Sequence, residues 1–395
     1  MQRIAVIGAG FAGFWAALGA AREREDLGAA VEITLISREP ELVLRPRLYE
    51  PEPAQLAVDV RPHLAAAGVR FVPGEARAFG RDGVSLAADE GIACERVVLA
   101  AGSEAVAPPI AGFAAHGLLL DTHADAKRLR GILAALPHGA PVVVIGAGFT
   151  GVELAAELAD RQRVVLVERA GELAPSLGDG PRPAIAAALA ELGVELRLGA
   201  RVARVDAAGV TLADGARIPA RAVFWTGGLR ASALTRQVAA ARDDAGRLVV
   251  DEFLSVPQAP WLFAAGDVAA AAAAPGHVTL MSCQHAMPTG CVAGHNAVRS
   301  LLGAPLAAFS APTYTTCLDL GRAGAMLSFG FERRVARTGS EAKIVKRFIN
   351  GRVIAPPPAE RAALLAAAGL PAPRSESDML AFFDQLIRGA PRAVA

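Results

Sequence analysis

Ile4-Ala5-Val6-Ile7-Gly8-Ala9-Gly10-Phe11-Ala12-Gly13 recurs far along the chain as Val142-Val143-Val144-Ile145-Gly146-Ala147-Gly148-Phe149-Thr150-Gly151. Each copy is an apolar strand feeding G-x-G-x-x-G and then a helical run, Phe14 to Leu18 in the first and Val152 to Leu158 in the second. The first glycine permits a tight turn, the second lets the backbone approach a pyrophosphate, and the third lets the helix pack on its strand. The helix N-terminus then aims its N–H groups at the anion. One such motif is a weak signal, because glycine turns are common. Two copies, each followed by a further apolar strand (Val31 to Ile36 and Val164 to Val167), point to an α/β chain with two Rossmann-like dinucleotide-binding domains.

The second strand of each unit should end in an acid that accepts the ribose hydroxyls. Glu168 does so in the second copy and, by repelling a 2′-phosphate, favours NADH; NADPH is the less favoured nucleotide, with Arg169 following directly. In the first copy Ser37 stands at that place, followed by Arg38 and Glu39, so its adenosine end is held more weakly.

Composition agrees with this reading. At 395 residues the chain has room for two or three domains. Forty Lys+Arg against 39 Asp+Glu give a net charge of +1, which excludes a general nucleic-acid binder. Val268 to Ala274 is the longest apolar stretch and stops at Pro275-Gly276, short of the ~20 residues of a membrane span. The N-terminus runs straight into a strand without the regions of a signal peptide, so a cytoplasmic location is expected. Cys94, Cys283, Cys291 and Cys317 form no C-x-x-C pair or zinc spacing, and no metal is expected. His277, His285 and His295 lack ligand spacing as well; His285 is kept as a candidate for an acceptor pocket.

Further motifs stand in a telling order. Val97-Val98-Leu99-Ala100-Ala101-Gly102-Ser103, Phe224-Trp225-Thr226-Gly227-Gly228 and Trp261-Leu262-Phe263-Ala264-Ala265-Gly266-Asp267 resemble the A-T-G strands and the G-D motif of FAD- and NAD-dependent two-dinucleotide reductases. In that family an NAD domain is inserted in an FAD domain, and the resemblance implies that Asp267 bonds the FAD ribityl chain. The C-x-x-x-x-C of disulfide reductases is missing; Leu42-Val43-Leu44-Arg45-Pro46-Arg47-Leu48-Tyr49 is instead similar to the F-x-P-L-L-Y segment of type II NADH:quinone oxidoreductases. Cys283-Gln284-His285-Ala286-Met287-Pro288-Thr289-Gly290 aligns on the A-Q-x-A-x-Q-Q-G of those enzymes, which opens a helix over the flavin and lines the quinone site. Gln284 matches; Pro288 and Thr289 replace the other two glutamines.

The chain thus resembles the type II NADH:quinone oxidoreductases over most of residues 1–302. The resemblance implies FAD held by Gly8, Gly10, Phe11, Ala12, Gly13, Ser37, Arg38, Arg45, Ala101, Gly102, Gly266, Asp267, Gln284 and His285. It implies NADH held by Gly146, Gly148, Phe149, Thr150, Gly151, Glu168 and Gly227. Glu153 and Gln284 are the catalytic candidates: Glu153 sits in the first turn of the second Rossmann helix, where a carboxylate suits either proton transfer or the helix dipole. Hydride would pass from NADH to FAD, and electrons then to a quinone or another small acceptor. The alternatives are a reductase of a small iron–sulfur protein, which would need a basic docking face, and a nucleotide-sensing flavoprotein without catalysis.

The expected domain map is an FAD part at 1–120, an NAD domain at 121–250, the FAD return at 251–302, and a small α+β interface-type domain at 303–395. Asn350-Gly351 between Lys346-Arg347-Phe348-Ile349 and Arg352-Val353-Ile354 signals a hairpin with a type I′ turn. From Ser375, Met379, Leu380, Phe382, Phe383, Leu386 and Ile387 recur at helical spacing, and with an acidic opposite face this helix is expected to dock on protein rather than lipid. Arg333, Arg334, Arg337, Lys343, Lys346 and Arg347 read as a solvated basic hairpin face. That face is also the sequence's best candidate for peripheral contact at the inner face of a membrane; a homodimer is compatible with the same unit.

Overall fold

The structure, a computed structural model, describes residues 1–87, 91–372 and 374–390; residues 391–395 of the expected C-terminal unit lie outside the described residues. Two sheets built on the repeated motif dominate it. The first has six strands in the order Ser255–Val256, Ala259–Ala264, Arg96–Leu99, Gln2–Ile7, Val31–Ser37 and Arg70–Pro73. All neighbours pair parallel except the first two. The second has five parallel strands: Gly117–Leu119, Ala222–Trp225, Pro141–Ile145, Arg163–Val167 and Glu195–Arg197. Continuous Val/Ile/Leu runs form these strands because parallel sheets are covered on both faces and so leave no side for polar alternation. Val142, Val143 and Val144 accordingly have no exposure.

The chain passes between the two sheets on an antiparallel ribbon, Ser103–Ala105 against Leu229–Ala231. That ribbon moves the expected boundary: Gly117–Leu119, placed by sequence in the first unit, pairs with Val223–Trp225 in the second sheet.

Helix α1 (Phe11–Asp26) follows the first motif, α2 (Phe149–Leu158) the second, and α3 (Cys283–Leu302) follows the G-D segment. Helices α1 and α3 touch backbone to backbone. A Cβ added at Gly294 would lie 2.0 Å from Ala16 O, and one at Gly290 would lie 2.2 Å from Ala12 O, so only glycine allows this approach. A buried ion cluster crosses the same interface: the Glu23 carboxylate accepts from His295 Nδ1 and from Arg299 Nε (2.7 Å), while His295 Nε2 donates to Ala368 O at 2.9 Å.

The C-terminal part carries an antiparallel sheet, Thr315–Asp319, Ala325–Phe329 and Arg334–Thr338, backed by α4 (Gly339–Phe348). Helix α5 (Arg361–Ala367) returns to pack on α1, and α6 (Glu376–Gly389) is capped by Ser375, whose hydroxyl accepts from Asp378 N. Met379, Leu380, Phe383, Leu386 and Ile387 of α6 face the core formed by Cys317, Leu327, Phe329 and Val345.

One expectation fails here and another holds in part. Asn350-Gly351 makes no hairpin; α4 runs on through a π-helical turn, Ile349–Val353. Ala342, Val345 and Ile349 recur at helical spacing against the sheet, and Asn350 spends its amide on Glu50 (Nδ2 to Oε1, 2.7 Å) rather than in a turn. The basic run is a solvated face only in part: Arg334 and Arg347 are exposed, while Lys346 is buried. Arg334 pairs with Glu376, Arg337 with Asp384, Lys343 with Asp319, and Lys346 is buried against Glu153.

Candidate active site

The two glycine turns are built alike. Gly8 has φ +109°, and a Cβ at Gly13 would sit 1.7 Å from Gly8 O; Gly146 has φ +104°, and a Cβ at Gly151 would sit 1.8 Å from Gly146 O. The middle glycines differ from both. Around Gly10 nothing lies within 4 Å of an added Cβ, and Gly148 meets only Ser176 Oγ at 3.7 Å. Open space at that glycine, ahead of a helix N-terminus, is what a pyrophosphate requires, so both turns fit a dinucleotide. Phe11 and Ala12 are buried in the first turn; in the second Phe149 is half-buried and Thr150 exposed. Thr226 Oγ1 ties the second turn by donating to Gly146 O (3.1 Å) and Ile145 O (3.2 Å), next to Gly227.

Glu168 is held at the edge of the second turn by two backbone donors, Ala147 N to Oε2 (2.7 Å) and Ala170 N to Oε1 (2.8 Å). The carboxylate is thus oriented before any ribose arrives. At the matching place in the first unit Ser37 is half-buried and Arg38 is exposed.

Asp267 follows the strand Ala259–Ala264, and its Oδ2 accepts from Ser103 Oγ at 2.6 Å. Burial pushes its carboxyl above the usual range, with Ser103 and Arg45 opposing. Arg45 lies 3.7 Å from Asp267 and also grips Ser103 and Asp121, while Asp121 accepts from Ala105 N at 2.9 Å. Ala101 and Gly102 lead into this knot. Ser103 and Asp121 were not anticipated; Ser103 directly follows the A-A-G strand end and was the readable signal.

Glu153 is the unusual group. It is 2% exposed, and its Oε1 accepts from Lys346 Nζ (2.8 Å) and from Asp319 N (2.9 Å). Lys346 also donates to Cys317 O at 3.0 Å, and its ammonium lies 5.9 Å from the Tyr49 ring centre and 5.6 Å from that of Phe149. Burial pushes the Glu153 carboxyl up to about 7, with the Lys346 charge opposing. Burial pulls the other way on Lys346, but the Glu153 carboxylate outweighs it and holds the ammonium above its ordinary value. Sequence reading assigned Lys346 to a surface; the available hint was that lysine occurs only at Lys127, Lys343 and Lys346 in an arginine-rich chain.

At the start of α3, Gln284 turns to the C-terminal sheet. Its amide nitrogen donates to Thr315 O (2.6 Å) and its oxygen accepts from Thr315 N (3.0 Å). His285 is buried, with Nδ1 accepting from Leu280 N at 2.8 Å, and burial lowers its pKa to about 4. The four cysteines are free thiols, and burial raises each: Cys94 and Cys283 to about 11, Cys291 and Cys317 to about 12. None supplies a thiolate at neutral pH. Among the described residues no cluster of three or more His, Cys, Asp or Glu could hold a metal ion, and no helix is long and apolar enough to cross a membrane.

Two dinucleotide cradles in one chain, with a buried carboxylate–ammonium pair beside the second, define an oxidoreductase. The chain belongs to the pyridine nucleotide-disulphide oxidoreductase family, whose profile matches residues 2–290. It is 43% identical over 392 residues to NADH dehydrogenase-like protein Rv1812c of Mycobacterium tuberculosis, covering 93% of this chain and 98% of that protein. It is 28% identical over 348 residues to demethylphylloquinone reductase NdbB of Synechocystis, covering 82% of this chain and 86% of the relative. Among solved structures, NDH2 from Plasmodium falciparum in complex with NADH superposes with TM-score 0.72 at 13% identity, covering 93% of this chain and 97% of that one. The cofactors of this oxidoreductase are FAD and NADH.

Proposed function

We propose that the chain is an NADH dehydrogenase that passes the electrons of NADH through FAD to a quinone. The observation that carries this reading is Glu153, a carboxyl buried against Lys346 and held near neutrality. The overall reaction, NADH + H⁺ + quinone → NAD⁺ + quinol, needs one proton beyond the hydride, and a group with a pKa close to the working pH serves it best. The absence of a thiolate points the same way, because disulfide reduction needs one and quinone reduction does not.

FAD, when bound, supplies an isoalloxazine that takes hydride and gives up electrons. The chain's residues bind and orient. Gly8, Gly10 and Gly13 cradle one pyrophosphate and Asp267 accepts hydroxyl protons of the ribityl chain; Gly146, Gly148 and Gly151 cradle the other, and Glu168 takes the NADH ribose. Glu153 stores the proton, and Lys346 keeps its ionised form from becoming prohibitively costly. We assign the FAD part to about residues 1–106 and 251–302 and the NAD part to the segment between, with the crossing at the ribbon Ser103–Ala105.

A small iron–sulfur protein as acceptor is less favoured, since both lysines of the basic run turn inward, Lys343 onto Asp319 and Lys346 onto Glu153. For peripheral membrane contact we propose exposed Phe382, which packs on Phe348, together with exposed Val353, Arg347 and Arg352. Anaerobic stopped-flow tests the core of the reading. NADH should bleach the flavin, and menadione should restore its colour much faster than dissolved oxygen does. No bleaching refutes hydride transfer, and equal reoxidation by menadione and oxygen refutes the quinone.

A further inference from the structure

At the start of α3 the usual hydrogen-bonding groups are spent. Gln284 clamps the backbone of Thr315, and Thr289 Oγ1 donates to His285 O (2.6 Å) while accepting from Gly266 N (3.0 Å). Pro288 has no N–H to give. One donor remains. Because Leu280 N donates to His285 Nδ1, the ring proton sits on Nε2, and Nε2 has no partner although His285 is only 2% exposed. A buried N–H left unpaired forfeits its hydration, a cost that a bound acceptor atom would recover.

The surroundings of that donor are flat and aromatic. His285 stacks on Tyr314 (4.9 Å between centres, 28°), and Phe331 lies parallel to both, 5.9 Å from Tyr314 and 6.3 Å from His285. His277 covers the far face of this group, stacked on Phe331 at 4.1 Å and 5°. Phe331 sits on a tight turn between Gly330 (φ +77°) and Arg333 (φ +49°). On that turn Arg333 donates through Nη1 to Ser176 O at 2.8 Å, while its buried Nε has no partner. Val278 and Leu280, both exposed, flank the group.

Resting on the quinone reading above, we propose that Phe331 is a displaceable plug in the quinone slot. On binding, a quinone ring replaces the Phe331 ring between His277 and the Tyr314–His285 pair, and His285 Nε2–H donates to a quinone carbonyl. A planar ring suits parallel stacking faces, a carbonyl suits a lone neutral N–H, and an apolar tail would leave past Val278 and Leu280. The slot thereby replaces the glutamines that stand at 288 and 289 in the resembling enzymes. Because His285 Nε2 is buried, the turn carrying Phe331 would open to admit the ring.

The test measures menadione binding to the oxidised, FAD-loaded full chain by titration calorimetry, beside NADH bleaching and quinone turnover. His285→Phe keeps the stack and removes the donor; with FAD content matched to wild type, it should weaken menadione about tenfold, as loss of one neutral hydrogen bond predicts. His285→Asn, which keeps an acceptor for Leu280 N and a donor beside it, should recover most of that loss. Phe331→Ala should tighten binding about threefold or more by removing the competing ring. Unchanged affinity in His285→Phe overturns the donor, and weaker binding in Phe331→Ala overturns the plug. If the wild type binds menadione but is not reoxidised by it, the quinone function falls and this slot with it; normal wild-type turnover with an indifferent His285→Phe sinks the slot alone.

Discussion

Replacing Lys346 by Met removes the only cation bonded to Glu153 among the described residues and keeps the length of the side chain. Glu153 is 2% exposed and its carboxyl stands at about 7 with Lys346 at 2.8 Å. An opposite charge at that range lowers a carboxyl by about 1–3 pH units, so without it the Glu153 midpoint should move alkaline by about that amount. The sign of the stability effect follows. Glu153 titrates higher in the folded chain than in the unfolded one, so the cost of ionising it begins near the unfolded value and grows until pH passes the folded value. In Lys346→Met that growth continues to higher pH, and the variant should lose about 1.4–4 kcal/mol relative to wild type once pH passes its shifted midpoint, with the gap closing in mild acid. The assay is stopped-flow reoxidation of the NADH-reduced protein by menadione, followed from about pH 5 to about pH 9, with melting curves at each pH. If Glu153 gives up the proton, the wild-type rate should fall as pH rises through about 7, and the fall should move alkaline in Lys346→Met. A midpoint that stays put or moves to acid would refute the coupling. Glu153→Gln is the control: it should abolish the limb, and a limb surviving there belongs to another group.

Three further outcomes are expected. Glu168→Ala should raise KM for NADH about 10–100-fold, the value of hydrogen bonds to a charged group, with FAD content of the purified protein unchanged; equal loss of both cofactors would mean the two cradles are exchanged. Gly294→Ala places a Cβ 2.0 Å from Ala16 O and should lower the melting temperature and FAD retention, whereas Gly131→Ala, with open space around it in the helix His123–Ala135, should stabilise by about 0.5–1 kcal/mol. Iodoacetamide at mildly alkaline pH should leave all four thiols unmodified until denaturant is added, because burial holds each pKa at about 11 to 12. Rapid labelling of Cys283 in the native protein would show that its pocket is open.

What the sequence made legible was local. Strand, G-x-G-x-x-G and helix lie within one short stretch, and their chemistry requires those residues in that order, so both turns and the carboxylate at Glu168 stand where the pattern put them. Ser375 was equally readable, since a hydroxyl three residues ahead of Asp378 caps whatever helix follows. Lys346 was not, because its partner Glu153 is distant in sequence and nothing local marks a lysine as buried. Asn350-Gly351 misled for a related reason: a two-residue turn signal says nothing of the helical stripe Ala342, Val345 and Ile349, whose burial decided the conformation. Arg45 shows the middle case. The resemblance put it near FAD, but its grip on Ser103, Asp121 and Asp267 joins four segments, a geometry only the fold brings together.

The replaced glutamines acquire a physical sense from the same contacts. Gln284 hydrogen-bonds a strand backbone in the C-terminal sheet, so keeping it fixes how α3 meets that sheet rather than what the acceptor touches. Thr289 has both hydrogen-bonding roles filled, by His285 O and Gly266 N, and thereby holds the G-D segment against α3. Gln284 and Thr289 are thus spent on the fold, and among the described residues of this first turn the buried side-chain donor without a partner is His285 Nε2. On the proposed reading the NADH side comprises the second glycine turn, Glu168 and Glu153, and the acceptor side comprises the aromatic rings beside His285. A chain arranged this way should hold the nucleotide step constant while quinone preference shifts with His285, Tyr314 and Phe331. Comparing menadione with a tailed benzoquinone across variants of those three tests this: the ratio of the two kcat/KM values should change, while bleaching by NADH should not change in the Tyr314 and Phe331 variants. A ratio that stays fixed while both activities fall together would place those rings in the scaffold and return the choice of acceptor to residues nearer Glu153.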